Sequence, residues 1–265
     1  MATFLVAHGA WSAGWAWKKM HPLMAAAGHR LLTPTYTGLG ERAHLASPAI
    51  DLDTHVADIL AVITYEELRQ VILIGHSYGG MVATAVADRA RDRIAKLVYL
   101  DAFAPQDGQS AFDLMPAERR DQMRERARTA GDGWRLPPNP MPADTLESDK
   151  TWAEPRRVPQ PIKTFETPVR LQNGALTLAR HYVYCRRCAP GDGFRPFYES
   201  AKTQPGWRHY DIDASHNPHI TAPDVLTRLL DSIAANRTAG SAQNLDHRRR
   251  KAWSTLQAPP PAKAR

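Results

Sequence analysis

The sequence predicts an α/β fold: a mostly parallel central sheet with helices on both faces and an inserted, mainly helical lid. Three observations carry that expectation. Val71-Ile72-Leu73-Ile74 is a short apolar run, rich in β-branched residues, that reads as a buried strand. Gly75-His76-Ser77-Tyr78-Gly79 follows it, and Met81 to Ala87 then reads as a helix that starts at once. Strand-like and helix-like stretches also alternate as far as Pro105, stop, and resume near His181.

Taken in order, Thr3-Phe4-Leu5-Val6-Ala7 is a first strand, followed by the small-residue loop His8 to Gly14. Trp15 to Ala27 reads as a helix ending at Gly28, with Pro22 as an interior irregularity. Arg30 to Thr33 is a second strand. Asp51 to Tyr65 carries Leu52, Val56, Ile59, Leu60 and Ile63 at helical spacing. The Val71 strand and its helix, to about Arg91, come next. Lys96 to Leu100 is a further strand and ends at Asp101. Residues 1–104 thus form the first part of the core. From 105 to 178 no such alternation is visible; Pro116 to Ala130 is charged and helical, with its charges on a solvated face. We expect this insertion to lie over the sheet's C-terminal edge as a lid. His181-Tyr182-Val183-Tyr184 and Trp207 to Asp213 are strands with a helix, Phe194 to Ala201, between them. Thr221-Ala222-Pro223-Asp224 opens the last helix, with Thr221 as N-cap. These elements complete the core over 179–236.

In a chain of 265 residues, an apolar content of 43% supports one large domain with insertions. The net charge of +7 is concentrated at one end: seven Lys/Arg against the single acid Asp246 lie from Arg237 on. Residues 237–265 therefore read as a disordered, basic, Pro-rich tail, and the rest is nearly neutral. That distribution argues against a nucleic-acid partner. The two cysteines, Cys185 and Cys188, form one C-x-x-C, too few for a zinc site and followed by Pro190-Gly191 rather than a helix. They read as ordinary thiols in a reducing cytoplasm. No charged and apolar leader precedes the first strand and no apolar run is long enough to span a bilayer, so neither export nor membrane insertion is expected.

The chemistry centres on Ser77. A strand that becomes a helix without a loop turns sharply, and Gly75 and Gly79 lack the Cβ atoms that would keep the two apart. The hydroxyl between them is held at the sheet edge beside a helix N-terminus. A serine nucleophile needs a base, and the base needs an orienting acid. Of the eleven histidines, His216 lies in the short loop between the last strand and the last helix; His219 is its competitor. His76 is expected to point away from the nucleophile, and His8 is read as structural or pocket-lining. His21, His29, His44, His55, His181 and His209 have surface or core readings. For the acid, Asp101 and Asp192 both follow strands, and either preserves the order Ser, Asp, His. The backbone N–H of Tyr78 and that of Ala10, after the first strand, are placed to hold an oxyanion. Trp11, Phe103, Trp134 and Trp152 are candidate substrate-lining residues and suggest a bulky, aromatic substrate. No metal and no cofactor are expected.

His8-Gly9-Ala10-Trp11 with Gly14-Trp15, Gly75 to Met81, and His216-x-Pro218 with Pro223 together resemble the α/β-hydrolase superfamily. More narrowly, they resemble its branch of plant methyl-ester esterases, hydroxynitrile lyases and bacterial esterase relatives. The resemblance covers about residues 3–236. It implies a cofactor-free ester hydrolase acting on a small molecule. The plant enzymes take their acid a few residues after the strand matching His181–Tyr184, near Arg187 or Cys188 here, neither of which is acidic. Asp192 would need a rearranged loop. Asp101 needs none, and other members of the superfamily draw their acid from that strand, so Asp101 is preferred. The lyases' Lys after the catalytic His and their first-loop Thr are Asn217 and Gly9 here, which argues against cyanogenic chemistry.

A second reading is a ligand-binding or signalling protein on the same fold, since some receptors keep the triad. A third, dinucleotide binding at Gly38-Leu39-Gly40-Glu41-Arg42-Ala43, places the fingerprint after the wrong strand.

Overall fold

The computed structural model describes residues 1–187 and 192–235. Six parallel strands form the central sheet: β1 (Thr3–Ala7), β2 (Arg30–Leu32), β3 (Val71–His76), β4 (Ile94–Leu100), β7 (Ala179–Cys185) and β8 (Trp207–Ile212). Two further strands, β5 (Arg135–Leu136) and β6 (Gln160–Pro161), pair with each other in an antiparallel sheet. The order in the large sheet is β2-β1-β3-β4-β7-β8. The chain therefore runs from β1 to one side and returns through β3 to the other. The crevice beyond the ends of β1 and β3 is the switch point at which open α/β sheets bind ligands.

The central strand β3 is buried along its whole length, as a parallel strand covered on both faces must be. The helix that follows, α3 (Gly79–Arg89), is buried from Gly79 through Asp88 and packs on β1, β3 and β4. In turn, α2 (Leu52–Tyr65) packs on α3. Asp51 starts α2: its carboxylate accepts the Thr54 N–H at 3.0 Å, while the Thr54 hydroxyl reaches back to the Asp51 backbone.

Two boundaries and one added strand pair differ from the sequence reading. Gly14–Trp17 is a single 3-10 turn, and α1 (Met20–Ala26) begins only at Met20. Pro22 is then in the first turn, where its missing N–H costs no helical hydrogen bond. Thr221 is not the N-cap of the last helix. It ends a short α8 (Pro218–Thr221), its hydroxyl donating to the Asn217 carbonyl at 3.2 Å, and α9 (Pro223–Ala234) starts after Ala222. The inserted stretch between β4 and β7 holds α4 (Ala117–Ala130), α5 (Glu147–Ala153) and α6 (Lys163–Glu166), and to these it adds the β5–β6 pair. Strands of two residues have no period for a sequence to display. Only Met123 and Ala127 of α4 are buried and most of its charges face solvent, but half-buried Arg126 donates to the Pro137 and Pro138 carbonyls at 3.0 and 2.9 Å. The way back to β7 is tied to the core by Asp88, which is fully buried and accepts the N–H groups of Gln172 and Asn173 at 2.6 and 3.2 Å. Finally, α7 (Arg195–Thr203) packs on β7 and β8.

By contacts the chain divides into two compact units, Met1–Thr227 and Arg228–Arg265, the described part of the second being the end of α9 and Ala235. The basic tail assigned to residues 237–265 lies outside the described residues, as does Cys188; Cys185 ends β7 and is buried. Among the described residues, no helix is long and apolar enough to cross a membrane.

Backbone closeness around β3 sets a testable limit. A Cβ on Gly79 would lie 2.0 Å from the Ala7 carbonyl oxygen, a backbone atom of β1 that has no rotamer by which to escape. Gly79→Ala is expected to lower unfolding free energy by about 3 kcal/mol or more. Denaturant titration of the two proteins measures it.

Candidate active site

Ser77 lies between β3 and α3 with φ +55°. For a serine this left-handed conformation is unfavourable unless the surroundings impose it. They do so by hydrogen bonds on both sides of its peptide. The Ser77 N–H donates to the Leu100 carbonyl at 3.2 Å, and its own carbonyl accepts from Gly80 N–H at 3.1 Å and Phe103 N–H at 3.2 Å. Gly75 completes the turn, since a Cβ there would come within 2.8 Å of the Gly79 carbonyl and of Gly80. The hydroxyl is left half-buried, at the end of the sheet where the β1 loop also emerges.

Asp101 follows β4 directly and is also left-handed, at φ +44°. Its N–H donates to the Val183 carbonyl at 2.7 Å, extending the β4–β7 ladder by one step. Asp101 is 5% exposed, and its carboxylate divides its oxygens. One accepts the Cys185 N–H at 3.2 Å, and the other meets His216 Nδ1 at 2.7 Å. On the far side of the same ring, His216 Nε2 is 2.9 Å from Ser77 Oγ. A carboxylate on Nδ1 selects the tautomer that carries its proton there, which leaves the Nε2 lone pair for the serine O–H. The structure thus brings Ser77, His216 and Asp101 into one hydrogen-bonded chain.

Asp192, the alternative acid, has other work. One oxygen accepts the N–H groups of Phe194 and Arg195 at 3.2 and 3.1 Å, at the start of α7, and the other accepts the Tyr184 hydroxyl. His219, the alternative base, is buried with its ring stacked on Trp17 at 4.6 Å. His76 donates its Nε2–H to the His216 carbonyl at 2.8 Å. His8 is structural. Its Nδ1–H donates to the Gly9 carbonyl at 2.9 Å and its Nε2 accepts the Tyr36 N–H at 3.2 Å. His55, read from sequence as surface or core, is in the core and accepts the Tyr78 hydroxyl at 3.0 Å.

The N–H groups of Ala10 and Tyr78 have no backbone or side-chain acceptor among the described residues. Trp11, at φ +58°, is held by its N–H to Gln160 Oε1 at 3.1 Å and by its Nε1–H to the Leu136 carbonyl at 2.8 Å. Phe103 is buried against Phe194 and Phe197, with ring centroids 5.1 and 5.9 Å away. Phe194 in turn stacks face to face on His216, 5.0 Å apart with 5° between planes. Trp134 has Arg135 over its ring, and Trp152 meets Trp15, Lys19 and Arg156; neither ring joins the group around His216. Phe194 and Gln160 escape sequence reasoning because nothing local marks them: each matters through a partner far along the chain. Among the described residues, no group of three or more His, Cys, Asp or Glu side chains is gathered as a metal site requires.

The match to known proteins follows the same outline. A family model described as alpha/beta hydrolase family matches residues 4–229, and the chain belongs to that family. It is 37% identical over 242 residues to a carbendazim hydrolyzing esterase of Nocardioides sp. (strain SG-4G), across 88% of this chain and 100% of that one. Methylesterase 2 of Arabidopsis thaliana is 33% identical over a shorter stretch, 38% of this chain and 40% of its own length. Among solved structures, an extracellular alpha/beta-hydrolase from a Paenibacillus species has the same fold, with a TM-score of 0.78 at 24% identity over 87% of this chain and 98% of that one. The similar curated proteins thus include esterases and an alpha-hydroxynitrile lyase of Arabidopsis thaliana.

Burial makes the histidines around the site unequal. Desolvation pushes His8, His55 and His219 down to about 3, and holds His76 well below the ordinary histidine range with the neighbouring His219 and His216 adding to the effect. The unfolded chain takes up protons near pH 6.5, whereas the folded protein does not until about pH 3. Their contribution to stability is therefore complete above pH 6.5 and is lost as the pH falls toward 3, at about 1.4 kcal/mol per pH unit for each histidine. Unfolding midpoints are expected to fall steeply between pH 6.5 and 5, and His219→Phe, which keeps a ring on Trp17, to fall less steeply. Equal slopes for the two proteins would contradict the assignment.

Proposed function

We propose that this protein is a cofactor-free serine hydrolase that cleaves a carboxylic ester through an acyl-enzyme on Ser77. The observation that carries the reading is the chain Ser77 Oγ–His216 Nε2 (2.9 Å) and His216 Nδ1–Asp101 (2.7 Å) on a fold shared with esterases.

In this reading Ser77 Oγ attacks the ester carbonyl carbon while its proton passes to His216 Nε2. Asp101 stabilises the imidazolium that forms. The carbonyl π electrons move onto oxygen, and the Ala10 and Tyr78 N–H groups receive that oxyanion. The tetrahedral intermediate collapses, the carbon–oxygen bond to the alcohol breaks, and His216 returns the proton to the leaving alcohol. Water then repeats the sequence on the acyl-enzyme and releases the acid. The half-buried His216 ring, flanked by Phe194, is the exposed member of the histidine group, so it alone has a route for protons to and from substrate.

Trp11, Phe103 and Phe194 give the proposed pocket an aromatic lining, with the 105–178 segment as its lid. This lining supports a bulky or aromatic ester, and the relative named for carbendazim hydrolysis makes carbendazim a first compound to assay. The low cysteine content supports a cytoplasmic setting.

A fluorophosphonate probe is expected to label the wild type and not Ser77→Ala, and p-nitrophenyl ester turnover is expected to vanish with the label. Absence of Ser77-dependent labelling would favour a ligand-binding protein instead. Asp101→Asn is expected to lower kcat by about 10⁴-fold, through loss of the correct tautomer. Asp192→Asn should stay within about threefold of wild type, because its partners belong to α7 and Tyr184. Steady-state kinetics on both variants compares them, and the reverse ranking would move the acid to Asp192.

A further inference from the structure

The loop that carries the Ala10 N–H is held before Ala10 by His8, whose Nδ1–H donates to the Gly9 carbonyl at 2.9 Å, but beyond Ala10 the next residue is held from farther away. Trp11 adopts a left-handed conformation, φ +58°, which a tryptophan takes up only under constraint. All three constraints come from the inserted segment. The Trp11 N–H donates to Gln160 Oε1 in β6, across 149 positions of sequence. Its Nε1–H donates to the Leu136 carbonyl in β5, and its ring stacks on Phe165 of α6 at 6.1 Å.

Gln160 is completely buried, and its amide has one orientation that satisfies every partner. The Thr164 hydroxyl donates to the Pro161 carbonyl at 2.7 Å, so it accepts, at 2.8 Å, from Gln160 Nε2. The oxygen of the amide then faces Trp11. The same segment reaches the other oxyanion donor: Phe165 packs on the Tyr78 ring at 5.2 Å. One buried network therefore touches the residue that follows Ala10 and the side chain of Tyr78.

We propose that Gln160 is a positioning residue for the oxyanion hole, and that the hole is complete only while the inserted segment is seated. Gln160 touches no reacting atom. It fixes the Gly9–Trp11 turn, and through that turn the Ala10 N–H. This rests on the serine-hydrolase reading above.

The test uses the full-length protein with p-nitrophenyl acetate and a trifluoromethyl ketone, which adds to a nucleophilic serine and forms a tetrahedral oxyanion. Gln160→Met removes the acceptor at nearly constant volume. It is expected to lower kcat by roughly ten- to a hundredfold with KM changed less than about twofold, and to weaken the ketone by the same factor as kcat. Gln160→Glu, which keeps an oxygen facing Trp11, is expected to recover most of the loss. Thr164→Val, which frees the amide to turn, is expected to lose about three- to tenfold in the same manner. In hydrogen exchange, peptides spanning residues 8–14 should exchange about tenfold faster in Gln160→Met than in wild type. A kcat and a ketone affinity both within twofold of wild type, or a loss confined to KM, would overturn the proposal. Wild type without Ser77-dependent turnover would defeat the hydrolase reading instead. Exchange over residues 8–14 then still decides whether Gln160 holds the turn, and unchanged exchange there overturns it.

Discussion

Two adjacent parallel strands, β3 and β4, both end in a left-handed residue, and the rest of the site depends on that. Left-handed Ser77 and Asp101 would each relax toward extended backbone if free to do so. They are not free, because the sheet's hydrogen bonding runs on past the strands: Ser77 N–H to Leu100, Asp101 N–H to Val183, Phe103 N–H to Ser77. A carbonyl left without its donor in this buried edge would carry a desolvation cost comparable to the strain, so strain and ladder hold each other in place. The same reversal of the chain lifts the Ser77 hydroxyl and the Asp101 carboxylate out of the sheet toward one loop. His216 fills the gap between them.

His216 is distinguished from its neighbours by surroundings rather than by residue type. His76, His219 and His8 lie in the same region but are fully or nearly fully enclosed, and burial keeps them neutral. A group that cannot become charged cannot accept a proton from serine at ordinary pH. It can still shape the site. His76, one residue before the nucleophile, donates to the backbone of the base, so a short covalent link on one side and one hydrogen bond on the other bracket the Ser77–His216 contact. Phe194 on the ring face limits how the imidazole can swing. The proposed mechanism assigns proton transfer to His216 alone and leaves His76, His219 and His8 as its neutral surroundings.

The division between what could and could not be read from sequence follows distance along the chain. The β3 strand, the turn at Ser77 and the start of α3 were legible because a buried parallel strand must be a continuous apolar run, and the two glycines mark the close approach. Asp101 was legible as a residue at a strand's C-terminus, and His216 as a residue between last strand and last helix. The preference for Asp101 over Asp192 rested in sequence on the loop that Asp192 would have to rearrange; what sequence did not reveal is that Asp192 accepts hydrogen bonds at the start of α7 and from Tyr184. The late start of α1 and the displaced end of Thr221 are errors of a few residues at proline-containing boundaries. The β5–β6 pair and Gln160 had no signature at all. Two-residue strands show no alternation, and a glutamine becomes informative only when its amide is seen against the backbone of Trp11.

The switch-point topology explains why such a distant contact matters. Because β1 and β3 lie side by side while their chain connections leave in opposite directions, the loops after them form the two walls of one crevice. The wall after β3 is rigid, since it runs directly into a buried helix. The wall after β1 is a loop of small residues ending in a strained tryptophan, with no helix to brace it before the single turn at Gly14. The core holds the two ends of that wall, through His8 to the Gly9 carbonyl and through Thr35 to the Gly14 N–H. The brace at Trp11 between them comes from outside the core, and β5, β6 and α6 provide it through Leu136, Gln160 and Phe165. The insertion thereby touches the turn after β1, which ties the surroundings of Ser77 to a segment outside the six-stranded sheet.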